Sequence, residues 1–400
     1  MHETKSGFIK NVTYENYYGV EIAVANDGSI YTVGYSRSNL TGADLTLIKW
    51  DSSGNPLWDR SWGETDVEIE CNIAIDTNDN IYTVGTIYPS AEGLARLVLV
   101  KWDSSGNLLW TQTWYQPGYD SGVPDIAVDS DGNIYTLTTA ELCGTVKRDL
   151  VLIKWDKSGN LLWDQIWKND YHGLAITIDK NDNIYTLDLS AGEYSIAKWD
   201  IYGTNLWVRP LNNNLTLFGN NLVTDSNGNI YITGNVAFTS NTFLMKWDIS
   251  GNLIWNQIGN LTRRYEDLFL GSDGNIYLIG MTTLSTNRLT KVQPQNYNLL
   301  LEKWDAMGTL IGIKIWDGDH EDYGISVAVG KDDRIYCIGT TGPVAMQQSF
   351  VLVIFSPTEF SSVPNFPERT TPVLSCSILI ITLCFLAFCV KRTKRERAQF

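Results

Sequence analysis

Apolar residues recur along this chain in short alternating runs rather than at helical spacing, and the runs return as a block roughly every fifty residues. Each block keeps one order. A brief apolar run such as Ile126 to Asp129 leads into an Asp/Asn/Gly turn. A strand opening on Ile-Tyr follows, then a loop of variable length, a strand ending in Lys-Trp-Asp, a Ser-Gly-Asn turn and a last strand carrying Leu-Trp. The first three runs are apolar on both sides, as Thr46 to Trp50 and Asn80 to Gly85 show, which suits strands covered on both faces. The last alternates. Trp58, Arg60 and Trp62 fall on one side and Leu57, Asp59 and Ser61 on the other, as expected of an outer strand that is half wet.

The Ile-Tyr element occurs seven times, with Tyr31, Tyr82, Tyr135, Tyr185, Tyr231, Tyr277 and Tyr336. Asp-Gly and Gly-Asn between apolar runs form tight hairpins because they accept the positive φ such turns need, so each block folds as four antiparallel strands. The pattern therefore predicts an all-β chain, a seven-bladed β-propeller of four-stranded blades over residues 1–356. The seventh block lacks its fourth strand, and Gly7 to Val12 precedes the first block. Docking that segment onto blade seven would seal the ring and remove an exposed edge. The repeated tryptophans, Trp102 and Trp110 among them, read as packing surface between blades. Lys49, Lys101, Lys154, Lys198, Lys246 and Lys303, each before a blade tryptophan, should lay their stems over apolar surface and pair with nearby acids.

The units resemble the SBBP β-propeller repeat family of secreted and surface proteins of bacteria and archaea. The residues that carry the likeness are Asp-x-x-Gly-Asn-Ile-Tyr, at Asp129 to Tyr135 and Asp225 to Tyr231, and the Lys-Trp-Asp-x-Ser-Gly-Asn element of most units. The resemblance spans about residues 7–356 and implies a fold; it implies no shared catalytic residues.

After the last block the pattern changes. Residues 357–372 hold four of the eleven prolines and read as an extended stalk. Val373 to Val390 is uncharged and apolar, and residues 391–400 are basic. This is the arrangement of a single membrane-spanning helix with a cytoplasmic tail, which would place the propeller outside the cell membrane. Residues 1–20 contain no apolar export signal, so the coding start is expected to be truncated, the alternative being a cytosolic body with a tail anchor. The net charge of -15 includes the basic tail, leaving the body more acidic still and opposed to nucleic-acid binding. Six cysteines show neither metal-ligand spacing nor a disulfide framework.

Candidate chemistry is sparse. Three histidines form no nucleophilic or zinc-binding arrangement, and no cofactor motif is present, so no catalytic residue is assigned. The Asp-rich turns resemble the start of a calcium loop but lack its closing glutamate, which leaves turn chemistry as their explanation. The connections between blades pair acids with aromatics. Asp66, Asp120, Asp170, Asp267 and Asp322, with Tyr18, Tyr119, Tyr171, Tyr265 and Tyr323, are expected to rim the channel mouth on the face of the variable loops. Such a rim suits a cationic group, a divalent ion or a sugar. Alternatively, these side chains only satisfy loop backbone groups. The expected role is a binding or scaffold module for an extracellular protein or glycan. An envelope hydrolase or lyase using rim carboxylates, and a structural surface-layer component, are the alternatives.

Overall fold

A computed structural model describes residues 8–360 apart from 15–16, 39–41, 64–66, 89–93, 118, 123, 143–147, 169–170, 191, 212–216, 237–238, 240, 260–262, 284–296, 319, 343–348 and 359. The expected membrane span and most of the stalk lie outside the described residues, and among those described no helix is long and apolar enough to cross a membrane.

The described chain forms twenty-nine strands in seven sheets. Each sheet is a blade of four strands, in sequence order in blades 1 to 6, with the inner strand of blade 3 split into Tyr119–Ser121 and Asp125–Val128. The inner strands are Tyr17–Val24, Val67–Ile75, the split pair, Tyr171–Ile178, Leu217–Thr224, Arg263–Leu270 and Glu321–Val329. Each packs on the next and the last packs on the first, so together they line a closed central channel. The outer strands are wetter: Leu108, Leu109, Leu161 and Leu162 are half exposed.

The ring closes as its missing strand requires. Phe8–Tyr14 pairs antiparallel with Ser349–Phe355, Phe8 lying opposite Phe355 and Tyr14 opposite Phe350. The outer strand of blade 7 thus comes from the start of the chain. Across the seam Tyr17, Ile22 and Trp50 of blade 1 pack against Tyr336, Phe350, Leu352 and Ile354 of blade 7.

The turn motif is a self-contained hydrogen-bond device. In the third-to-fourth strand turn of blade 2, Gly106 takes φ +81°, a conformation only glycine adopts at no cost. Asp103 Oδ1 accepts the backbone N–H groups of Ser105 and Asn107, and its Oδ2 accepts Asn107 Nδ2 at 2.8 Å. The first-to-second turn follows the same plan at Asp129, whose Oδ2 also receives the Tyr135 hydroxyl at 3.3 Å.

These turns connect neighbouring blades through the repeated lysine. Lys101 Nζ stands 4.9 Å above the Tyr82 ring and donates to the Lys157 carbonyl in the next blade's turn at 3.2 Å. Lys49, Lys154 and Lys246 make the same double contact. Pairing with acids is the lesser part. Lys49, Lys154 and Lys246 stand 3.8–4.0 Å from Asp27, Asp129 and Asp225, and Lys303 approaches Asp273 to 2.9 Å. The ammonium over the aromatic face is the recurrent feature.

Candidate functional site

The central channel holds a belt of polar side chains, and a backbone irregularity places it. In six inner strands the pairing register slips by a bulge before the same position, between Gly19 and Glu21, Ile69 and Asn72, Gly173 and Ala175, Gly219 and Asn221, Tyr265 and Asp267, and Gly324 and Ser326. In blade 3 the break between the two short strands does the same work ahead of Asp125. Bulges re-aim side chains. The glycines beside them allow close approach: a Cβ at Gly173 would stand 2.7 Å from Leu137 of the preceding blade, and one at Gly219 2.8 Å from Leu187.

Each blade thus contributes one residue at an equivalent height: Glu21, Asn72, Asp125, Ala175, Asn221, Asp267 and Ser326. Hydrogen bonds join most of them across blades. Asn221 Nδ2 donates to Asp267 Oδ1 at 2.5 Å, and the backbone N–H of Leu268 reaches the same oxygen at 2.7 Å. Asp267 Oδ2 receives the Val327 N–H at 3.1 Å and lies 2.8 Å from Ser326 Oγ, which is also 2.5 Å from Glu21 Oε1. On the other side of the channel Asn72 Nδ2 donates to Asp125 Oδ1 at 2.6 Å, while Asp125 Oδ2 takes the Ile176 N–H at 2.7 Å.

Burial raises all three acids. Asp125 is pushed up to about 7, its hydrogen bonds from Ile176 and Ile126 opposing the rise. Glu21 is held well above the usual carboxylate range by desolvation and then by the charge of Asp267. Asp267 is raised by burial, against the bonds it accepts from Ser326, Val327, Asn221 and Leu268. A fourth buried carboxyl, Asp188, occupies the second strand of blade 4 where five blades have glycine. Burial pushes it up to about 8, and Thr186 Oγ1 donates to it at 3.1 Å.

The predicted rim residues fall in different places. Asp267 belongs to the channel belt. Tyr265 is 1% exposed in the blade interior, where its hydroxyl meets Glu302 Oε2 at 2.6 Å. Asp322 is fully buried, accepting the Gly318 N–H at 2.7 Å and the Thr341 hydroxyl at 2.6 Å, and desolvation pushes it up to about 6. Tyr323 is half-buried, donates to Glu321 and lies 5.6 Å from the Tyr297 ring. Tyr18 stacks on Tyr35 at 5.0 Å, and Tyr171 meets Trp167 edge-on at 5.9 Å. Tyr119 and Asp120 pair along the backbone with Leu142 and Glu141, while Asp66 and Asp170 lie outside the described residues. For Asp322 the loop-satisfying role is what the geometry shows. Glu21, Asn72, Asp125, Asn221 and Ser326 escaped the sequence reading, although each stands immediately before the short apolar run that opens its unit.

Among the described residues no group of three His, Cys, Asp or Glu side chains is placed to hold a metal ion. A hollow of about 520 Å³ on the turn face at the seam is lined by Asp27, Asp51 and Asp332, but each of these carboxylates is already engaged by its own turn.

Comparison with known proteins agrees with this fold. Residues 206–235 match the SBBP family, described as a beta-propeller repeat. A curated relative, the uncharacterized WD repeat-containing protein L264 of Acanthamoeba polyphaga mimivirus, is 24% identical over 296 residues, 61% of this chain and 21% of that protein. The chain thus spans about a fifth of the length of the curated relative it matches. Among solved structures, a catalytically inactive virginiamycin B lyase from Staphylococcus aureus with quinupristin aligns with TM-score 0.54 and 9% identity over 87% of this chain and 99% of that one. The β-propeller domain of the Trilobed protease from Pyrococcus furiosus aligns with TM-score 0.50 and 11% identity over 88% of this chain and 99% of its own; it has an open velcro topology, whereas here the first strand closes the ring. At these identities the likeness is one of fold: the chain is a seven-bladed β-propeller, one stretch of which matches the SBBP repeat.

Proposed function

We propose that this protein is a membrane-tethered, extracytoplasmic propeller with all seven units of SBBP type, acting as a binding or scaffold module whose variable-loop face recognises a protein or glycan. One observation carries the reading: the recurrent polar groups of the units are already engaged within the fold. The turn aspartates bind their own turns, the lysines sit over tyrosines, and the channel acids accept bonds from neighbouring blades. What varies from blade to blade is the length of the second-to-third strand connection, three residues between Ser38 and Gly42, seven between Tyr88 and Arg96 and fifteen between Thr282 and Asn298, and variable loops on a rigid scaffold are where recognition is built. The apolar run Val373 to Val390 with its basic flank supports a tether. The lyase neighbour shares fold alone, so binding is favoured over catalysis.

The test is a binding screen of the full chain against cell-surface glycans and extracellular proteins, repeated after residues 284–296 are replaced by a short Gly-Asn linker and after Ser53→Ala on the turn face. Loss of binding with the loop replacement and retention with Ser53→Ala is the expected result; a partner indifferent to the loop replacement overturns the assignment of the face. Alkaline-carbonate extraction reports separately on the tether, which predicts retention in the membrane pellet.

A further inference from the structure

One hydroxyl at the seam of the ring has been given two acid neighbours. Ser326 Oγ of blade 7 lies 2.5 Å from Glu21 Oε1 of blade 1 and 2.8 Å from Asp267 Oδ2 of blade 6. A serine hydroxyl owns one proton and can donate only one hydrogen bond, and two ionised carboxylates can only accept. Both contacts exist together only if one carboxyl brings a proton of its own and donates it to Oγ. Asp267 is unsuited to that part. Three N–H groups, from Asn221, Leu268 and Val327, already point at its two oxygens and favour the anion. Glu21 is therefore the acid.

We infer that Glu21 carries a proton in the folded protein, that Glu21 donates to Ser326 while Ser326 donates to the Asp267 carboxylate, and that this relay locks blades 6, 7 and 1 together at the point where the ring closes.

The surroundings agree. The neighbouring acids Asp267 and, to a smaller extent, Asp125 both oppose ionisation of Glu21. Of the strands packed on its own, the second strand of blade 1 presents Val33 opposite it, the inner strand of blade 7 presents Ser326, and Ser349–Phe355 is uncharged. The second strand of blade 7 carries Cys337, whose thiol burial keeps neutral. The inner strand of blade 2 carries Asn72 at the equivalent height; the side chains of its Glu68 and Glu70 lie outside the described residues. Because the folded state holds the proton more tightly than the unfolded chain does, the stabilisation is complete at acidic pH and fades as pH rises through the native titration of Glu21. The seam is thus built to loosen in alkali, whatever the loop face binds.

Infrared difference spectroscopy of the full chain tests this. With all glutamate carboxyls labelled with ¹³C, the protonated-carboxyl band at neutral pH should shift on labelling and lose intensity in Glu21→Gln. Asp125 and Asp188 supply a component that labelling leaves in place; a glutamate-derived component that survives intact in Glu21→Gln, or the lack of any component that shifts on glutamate labelling, overturns the assignment. In thermal melts Glu21→Gln, which mimics the neutral acid, should match wild type at pH 5 and exceed it increasingly toward pH 9; a difference that does not change with pH also overturns it. If Glu21→Gln fails to fold, Ser326→Ala in the labelled chain decides: removing the acceptor must move the band, and an unmoved band sinks the relay.

Discussion

In blades 1 to 4 the buried tryptophan that ends the third strand gives its indole N–H to a threonine on the second strand. The pairs are Trp50 with Thr32, Trp102 with Thr83, Trp155 with Thr136 and Trp199 with Thr186, at 2.8–3.2 Å. In blades 5 to 7 the threonine is gone, replaced by Ile232, Leu278 and Cys337, and each blade answers differently. Blade 7 has also lost the tryptophan, with Phe355 in its place, so no donor remains. Blade 6 keeps Trp304 and supplies a new acceptor, Glu302 Oε2 at 2.9 Å, whose buried charge is met by Arg263 at 2.6 Å and by the Tyr265 hydroxyl. Blade 5 keeps Trp247, and among the described residues its buried indole nitrogen meets no acceptor. An orphaned buried donor costs about 1–3 kcal/mol. Paired positions in a repeat therefore drift together or at a cost, and the acid of blade 6 and the bare donor of blade 5 are two solutions of unequal quality.

The contrast can be broken most severely in blade 6. Glu302→Ala should cost about 3–5 kcal/mol in urea unfolding, because it strands Arg263 in the interior. Next in size, Thr83→Val keeps the shape in blade 2 but orphans Trp102, and should lower stability by about 1–3 kcal/mol. The opposite change, Ile232→Thr, offers Trp247 the acceptor its blade lacks and should raise stability by about 0.5–1.5 kcal/mol; a loss there would show that the blade 5 indole has been accommodated by other means. The smallest effect is expected from rebuilding the pair in blade 7. Phe355→Trp and Cys337→Thr should each destabilise alone, and a double-mutant cycle should return a favourable coupling of about 0.5–1 kcal/mol.

Much of this was legible in the chain before any coordinates. The blade count, the hairpin turns and the need for a closing strand followed from repetition, since seven copies average away the ambiguity of any one. The closing strand extends to Tyr14, two residues beyond the segment read from sequence. The channel belt was not read, for a physical reason. The bulge before Glu21, Asn72 and Ser326 inserts a residue and breaks the period of two on which facing is judged, and the belt uses five residue types at seven positions. Tyr265 and Asp322 were legible as an aromatic and an acid near an inner strand, but no spacing tells a rim side chain from one folded back into a blade. The lysines were legible in part: acids do stand beside Lys49, Lys154, Lys246 and Lys303, while the aromatic face beneath each ammonium became visible only once Lys101 and Tyr82 were seen as neighbours across two strands.

The pairing of Phe8 with Phe355 has a consequence for how the protein is made. The two halves of that ladder lie more than three hundred residues apart, so a ribosome must release the third strand of blade 7 before the circle can shut. Until then six finished blades wait beside a seventh whose flank is bare, and an early strand waits without its mate. An unpaired strand edge of that kind is where exchange with a sister molecule can start.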